Sequence, residues 1–320
     1  MAKRTLKQKL QNRIFDPLLM YFYNTVVKGY IKLFGAKDKR ELKYKVSACL
    51  IFKDEGPFLK EWLDYHLTVG IDHFYLYDNN STDNYREIIQ PYIDREQITL
   101  VPWPHQQAQA QAYKHCLETY RTETNWITFI DADEFIVPRY EADIKAWIRR
   151  FEKYPAIVIQ WLMFGTNGKL KHDYNQNVIE QYHACWEQFY RLGKCIVNTR
   201  YNLTNWDTQY FHHHAYMRYP VFGCNLVVPA VNQWGYICRG SRIWGGKGDK
   251  MAHRNIQINH YYTKAWDIYQ SKMNKSDVFF TQNPKNLKWF YERDMKCISR
   301  DYTIERFFIK MKNSSSQANK

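Results

Sequence analysis

Two carboxylates, Asp131 and Asp133, close the apolar run Trp126-Ile127-Thr128-Phe129-Ile130, with Glu134 beside them and Phe135-Ile136-Val137 beyond. Residues two apart on a strand point to the same side, so on a strand both acids can converge on one point. No lysine or arginine lies within residues 126–138. Repulsion between two unpaired carboxylates favours a cation between them. Hard oxygen ligands at the end of a buried strand suit Mn²⁺ or Mg²⁺ holding a substrate's phosphates. Asp-x-Asp alone is a short pattern that many solvated turns share. Its setting separates it from those, because an unbroken apolar strand is what a parallel sheet covered on both faces requires.

The elements that would position these acids can be read upstream. Residues 46–52 form a buried first strand, followed by Lys53-Asp54-Glu55-Gly56-Pro57. Pro57 opens a helix near its first position; Phe58, Trp62, His66 and Val69 share one face, and Gly70 stops it. Residues 72–78 give a second strand ending in an acid, then a turn-rich loop, Asn79-Asn80-Ser81-Thr82-Asp83, leads into another helix. Strand, helix, strand, acidic loop, helix opens a doubly wound α/β sheet, whose ligands sit beyond the carboxyl ends of the strands. Glu55, Asp78, Asp83, Asp131 and Asp133 all fall there. Further along, 97–102 reads as a third strand, 105–121 and 140–154 as helices, and 156–164 as a strand. Residues 166–258 are loop-rich, 263–312 helical, and the Asn-Ser-Ser-Ser-Gln tail is expected to be disordered.

Lys53-Asp54-Glu55, Glu61-Trp62-Leu63-Asp64-Tyr65-His66, residues 77–83, residues 129–135 and Asn259-His260-Tyr261-Tyr262-Thr263-Lys264 occur in that order. This ordered set resembles glycosyltransferases of the GT-A fold over roughly residues 45–275, and is most similar to glycosyltransferase family 92 and related family-2-like bacterial enzymes. The resemblance implies a mixed α/β sheet with helices on both faces. It implies a metal-dependent transfer of a sugar from a nucleotide-sugar donor, UDP-galactose foremost, with inversion. The acceptor would be a glycan or a lipid-linked species in surface polysaccharide or glycolipid synthesis. Glu55, Asp78, Asp83 and Asp131 would hold the donor. Asp131, Asp133 and His260 would ligate Mn²⁺ or Mg²⁺, although His260 also reads as a core histidine in an aromatic strand.

An inverting transfer needs a base for the acceptor hydroxyl. Asp173, Glu180, Asp207 and Asp249 lie in the acceptor-side half, and none has a distinctive setting. His212-His213-His214 reads as a metal tract or as a polar loop with one buried histidine. Gly245-Gly246-Lys247-Gly248 is a loop that could close over a diphosphate, without the spacing of a Walker motif.

At 320 residues the chain can hold one large α/β domain with appendages, or two small ones. The boundaries expected are a basic amphipathic segment at 1–44, a catalytic domain at 45–275 (donor half 45–140, acceptor half 156–262), and a helical extension at 276–320. Aromatic content is 17%, with 26 Tyr and 11 Trp, so some rings beyond the core could face a sugar; Trp161, Trp234 and Trp244 are candidates by position. Seven cysteines without a Cys-x-x-Cys pair argue for reduced thiols and a cytoplasmic setting. Neither a signal peptide nor an apolar run of membrane-spanning length is expected.

The formal charge of +14 is concentrated at the start. Residues 1–45 carry twelve Lys or Arg against three acids, a balance of 12 − 3 = +9. Ile14, Leu18, Phe22 and Val26 recur every four residues within this basic stretch. Such a segment suits an anionic membrane surface, here the inner face of a bacterial inner membrane, with a helix packed on the domain as the alternative. Nucleic acid is a poorer partner, because none of its recognition motifs occurs. A phosphotransferase using Asp131 as nucleophile would want its acidic pair on the first strand, and here three strands precede it. A non-catalytic carbohydrate-binding protein with a degenerate site is the remaining alternative, and it would not need to keep all five acids.

Overall fold

The computed structural model describes residues 14–106, 109–205, 210–238, 254–274 and 285–318. Its strands are β1 (Tyr44–Phe52), β2 (His73–Asp78), β3 (Ile98–Pro102), β4 (Thr124–Phe129), β5 (Glu134–Pro138), β6 (Ala156–Met163), β7 (Ala184–Cys185), β8 (Gly193–Asn198), β9 (Tyr216–Val221), β10 (Cys224–Pro229), β11 (Val231–Asn232), β12 (Ile256–His260) and β13 (Ser299–Arg300). The main sheet runs β3-β2-β1-β4-β8-β6-β12-β5, with β11 added alongside β6. Strands β3, β2, β1 and β4 are mutually parallel. β8 is antiparallel to both β4 and β6, β12 is parallel to β6, and β5 is antiparallel to β12. The carboxyl ends of β1, β2, β4, β6 and β12 therefore share one edge with the amino ends of β8 and β5.

Helices cover both faces, as the resemblance implies. Neighbouring strand residues point to opposite sides. Phe74 of β2 packs against Trp62 of helix Gly56–Val69, with ring centroids 5.3 Å apart. Its neighbour Tyr75 stacks at 4.1 Å on Tyr120 of helix Gln109–Tyr120, on the other face. Pro57 lies in the first turn of helix Gly56–Val69, and Gly70, at φ +102°, closes it in the left-handed conformation that only glycine adopts freely.

Three expectations change. The acids follow a buried strand as expected but do not share its geometry: β4 ends at Phe129, and a turn in which the Glu134 N–H donates to the Asp131 carbonyl (3.0 Å) separates it from β5. Apolar residues flank the acids on both sides, so the pattern hides the break. The helix read over 140–154 shrinks to Ile144–Ile148 and a 3₁₀ turn, Arg149–Phe151. Asp143, accepting from the Ala146 N–H (2.7 Å), caps it only there. The polar tail continues a helix, Glu305–Ala318, anchored by buried Ile304, Phe307 and Met311; Phe307 meets Tyr65 at 6.2 Å.

The region read as loop-rich does hold short strands between long connections. Residues 263–312 hold helices Trp266–Asn274, Leu287–Asp294 and Glu305–Ala318 rather than one continuous helical stretch. All seven cysteines are unbridged.

Candidate functional site

The acidic turn is held from below. Trp62 is fully buried, and its indole N–H reaches both the Asp131 carbonyl (3.1 Å) and the Glu134 carbonyl (3.0 Å). The Asp131 N–H donates to Glu134 Oε2 (3.1 Å), and the Tyr261 N–H, just past β12, donates to the Asp133 carbonyl (2.8 Å). Each acid is thus fixed by elements distant in sequence.

Because the acids sit on a turn rather than a strand, Asp131 and Asp133 take different partners. Asp131 Oδ2 accepts from Lys194 Nζ at 2.9 Å, and its Oδ1 accepts from Gln109 and Tyr113, each at 3.1 Å. Lys194 enters at the amino end of β8, where the antiparallel strand starts at the shared edge. A Cβ at the preceding Gly193 would run into the Ile159 carbonyl, so only glycine lets β8 lie this close to β6. Glu134 Oε2 lies 3.8 Å from Lys194 Nζ. Burial pushes the Glu134 carboxyl well above its usual range; Lys194 opposes this, and the charges of Asp131 and Asp133 add to it. For Lys194, burial favours the neutral amine, but Asp131 and Glu134 outweigh it and raise its pKa.

Asp133 Oδ2 accepts from Lys272 Nζ at 2.7 Å, and its Oδ1 lies 3.4 Å from His260 Nε2. Burial would raise the Asp133 carboxyl, yet Lys272 and His260 hold it well below its usual range. Lys272 also donates to the Tyr262 carbonyl (3.0 Å). A third lysine, Lys264, is 1% exposed, adopts φ +49°, and its Nζ finds no hydrogen-bond partner among the described residues. It sits 4.1 Å from the Phe58 ring centroid. Burial and the nearby Lys272 charge lower its pKa to about 8, against the opposing pull of Asp133, Glu55 and Glu61. Glu55 thereby joins the cluster electrostatically, acting on both Lys264 and Lys272.

The set can be tested against a divalent cation. Among the described residues no group of three or more His, Cys, Asp or Glu is arranged to hold a metal ion. Asp133 Oδ1 and His260 Nε2 still form a buried oxygen–nitrogen pair, and His260 Nδ1 finds no partner among the described residues. Such a pair fits Mn²⁺ or Mg²⁺ that takes its other ligands from phosphate and water. Asp131, committed to Lys194, Gln109 and Tyr113, stands outside that pair.

The other donor-side acids are tied into the loop itself. Asp78 Oδ1 accepts from the Ser81 N–H (2.8 Å) and Oδ2 from the Tyr85 hydroxyl (2.7 Å). Asp83 Oδ2 accepts from the Gly56 N–H (2.7 Å), so Asp83 caps helix Gly56–Val69 from across the loop. These bonds leave lone pairs for a ligand but give both residues a structural task.

Of the base candidates, Glu180 closes a capping box on the turn Val178–Gln181, and Asp173 Oδ1 accepts from the Asn175 N–H (2.9 Å). Both hold acceptor-side turns and neither contacts the lysine cluster. Asp207 and Asp249, with Trp244 and residues 245–248, lie outside the described residues. Glu61 was not singled out from sequence as a site residue. It is half-buried, accepts from the Val178 and Ile179 N–H groups (2.7 and 3.0 Å), and desolvation raises its pKa to about 7. The His212–His214 tract forms a turn beside the cluster with one buried histidine, His212, while His213 and His214 are half-buried; Trp161 packs between His213 (5.1 Å) and His260 (4.8 Å). Trp234 is half-buried, two residues beyond β11.

The mixed α/β sheet thus brings a carboxylate–imidazole pair and buried lysines together at one strand edge. Residues 20–226 match the family model for glycosyltransferase family 92, and the chain belongs to that family. A family 92 protein of Ricinus communis is 36% identical over 255 residues, covering 77% of this chain and 41% of the relative. A galactan β-1,4-galactosyltransferase of Arabidopsis thaliana is 28% identical over 158 residues, covering 45% of this chain and 30% of that protein. The chain thus spans less than half the length of these relatives. Among solved structures, Staphylococcus aureus TarS aligns with a TM-score of 0.34 at 14% identity, over 48% of this chain and 47% of that one.

Proposed function

We propose that this chain is a nucleotide-sugar-dependent glycosyltransferase that passes a hexose, galactose foremost, from a uridine diphosphate donor to a glycan or lipid-linked acceptor, with inversion. The observation that carries the reading is the cluster at the shared strand edge: Asp133 with His260 and Lys272, and beside them Lys264, a buried lysine without a protein hydrogen-bond partner among the described residues. A buried ammonium left unpaired is costly unless a ligand answers it. A diphosphate is the anion that this sheet edge suits. The galactosyltransferase relatives support the choice of sugar.

Asp133 and His260 would hold the divalent cation, which supplies charge neutralisation for the departing diphosphate. Lys264 and Lys272 would donate to phosphate oxygens and so stabilise the same developing charge. Asp131, kept in place by Lys194, Gln109 and Tyr113, would orient the donor. Glu55 and the loop fixed by Asp78 and Asp83 would border the nucleoside. Trp161, His213 and His260 wall the edge with aromatic surface and limit water beside the anomeric carbon.

The test is release of UDP from a panel of UDP-hexoses, with and without Mn²⁺. Manganese-dependent release that is lost in Asp133→Asn, with an unchanged circular dichroism spectrum, is the expected result. A chain that releases no nucleotide and binds none is instead a sugar-binding protein with a degenerate site.

A further inference from the structure

The helix ahead of β1 presents an apolar face that the domain does not cover. It runs through Asp16–Phe22, a π-helical turn at Tyr23–Val27, and Lys28–Phe34. One side is docked: Val27 and Ile31 are fully buried, and the Tyr23 hydroxyl donates to the Val227 carbonyl (2.7 Å). Asn24 clamps Ile237 by two bonds, Nδ2 to its carbonyl (3.0 Å) and its N–H to Oδ1 (2.9 Å). The helix cannot roll, so its other side has a fixed outlook. That side carries Phe15, Leu18, Phe22, Val26, Leu33 and Phe34, all between 40% and 76% exposed. In an α-helix a row of every fourth residue drifts around the axis, and the wider π turn winds it back, which keeps Leu18, Phe22 and Val26 in line. Phe222, at the tip of the β9–β10 hairpin, extends the surface: it is 64% exposed and touches Tyr30 (4.6 Å), which also meets Phe34 (5.2 Å).

A contiguous apolar face of this kind is rare on a surface meant for water alone. Its surroundings choose the occupant. Lys32 lies exposed on the same helix, Lys28 sits over the Tyr236 ring (4.7 Å) at its docked side, and residues 1–45 carry the +9 balance, with Asp16 the one acid between Met1 and Lys37. A second copy of the chain would bring two such positive segments together, which repel. An anionic bilayer answers both features at once, taking the apolar side chains among its acyl chains and the basic residues of the segment at its headgroups. Among the described residues no helix is long and apolar enough to cross a membrane, so this one would lie in the interface plane.

We propose that this face, with Phe222 beside it, docks the protein on an anionic lipid surface. The inference does not depend on the donor reading, and it would set a lipid-linked acceptor within reach.

The experiment is co-sedimentation of the full chain with phosphatidylcholine vesicles and with vesicles containing about a third phosphatidylglycerol. Anionic vesicles should bind it about tenfold or more better than neutral ones, and added salt should weaken that binding. Leu18→Glu/Phe22→Glu alters exposed positions only. It should lose anionic-vesicle binding by about tenfold or more, with melting temperature and UDP release unchanged. Lys32→Gln should lower binding to anionic vesicles alone. Wild-type protein that stays in the supernatant, or a double glutamate variant that binds as well as wild type, overturns the proposal. So does a concentration-dependent dimer that the glutamates dissociate without any vesicle binding, which would assign the face to a second copy.

Discussion

Replacing Lys194 by Met tests whether the acidic turn depends on a cation delivered from β8. Met keeps the length of the aliphatic stem but removes an ammonium that is 1% exposed and lies 2.9 Å from Asp131 Oδ2 and 3.8 Å from Glu134 Oε2. Breaking a buried ion pair by deleting one partner costs about 3–5 kcal/mol, because the other charge is left uncompensated. Asp131 is a third exposed, so water can take over part of its solvation and the cost should lie near the lower bound, about 3 kcal/mol. Asp131→Asn in the same background removes the stranded charge and should recover much of the loss. The double-mutant cycle is then expected to give a coupling of about 2–3 kcal/mol. Urea unfolding followed by tryptophan fluorescence measures all four corners, with unchanged slopes needed for the comparison. A coupling below about 0.5 kcal/mol, or a Lys194→Met protein as stable as wild type, refutes the reasoning.

Two further predictions concern the same cluster. The Glu134 carboxyl is held above its ordinary 4.5, so the stability it contributes is fully present below 4.5 and is lost as pH rises through the folded-state value. Glu134→Gln, which cannot ionise, should match wild type near about pH 4 and be the more stable protein near about pH 8; urea midpoints at the two values check this, and an advantage that shrinks with pH contradicts it. Lys264→Met removes a buried amine that no described residue bonds, so stability should hold or rise, while UDP affinity should fall by about tenfold or more through loss of a charge-assisted hydrogen bond. Calorimetry reads the affinity, and unchanged UDP binding would remove Lys264 from the donor site.

The sheet edge was legible where the signal is local. β1 and β2 are continuous apolar runs closed by polar turns, and the Pro57 and Gly70 ends of the intervening helix carry their own backbone chemistry. That the acids sit on a turn, and so do not converge as strand neighbours would, was not legible, because the apolar run resumes directly beyond them. Asp83 read as an acid beyond a strand and proved to cap a helix that begins 27 residues earlier, which no spacing rule connects. The lysines were missed for the same reason. Lys194 comes from 63 residues away and Lys272 from 139, and their meaning depends on which strands run antiparallel. Lys194 did leave a trace, a charged residue in the otherwise apolar run Cys195-Ile196-Val197, and Lys264 closes a motif quoted for its resemblance alone. Burial without a hydrogen-bond partner among the described residues, which marks Lys264, is a property only of the folded chain.

The central claim, that Asp133, His260 and the buried lysines form a donor-diphosphate site, is met most directly by calorimetric titration of the purified chain with UDP, with and without Mn²⁺, for wild type and Asp133→Asn. The account predicts binding that strengthens with Mn²⁺ in wild type and loses that dependence in the variant. Absence of UDP binding, or binding that Mn²⁺ and Asp133→Asn leave unaltered, would contradict it.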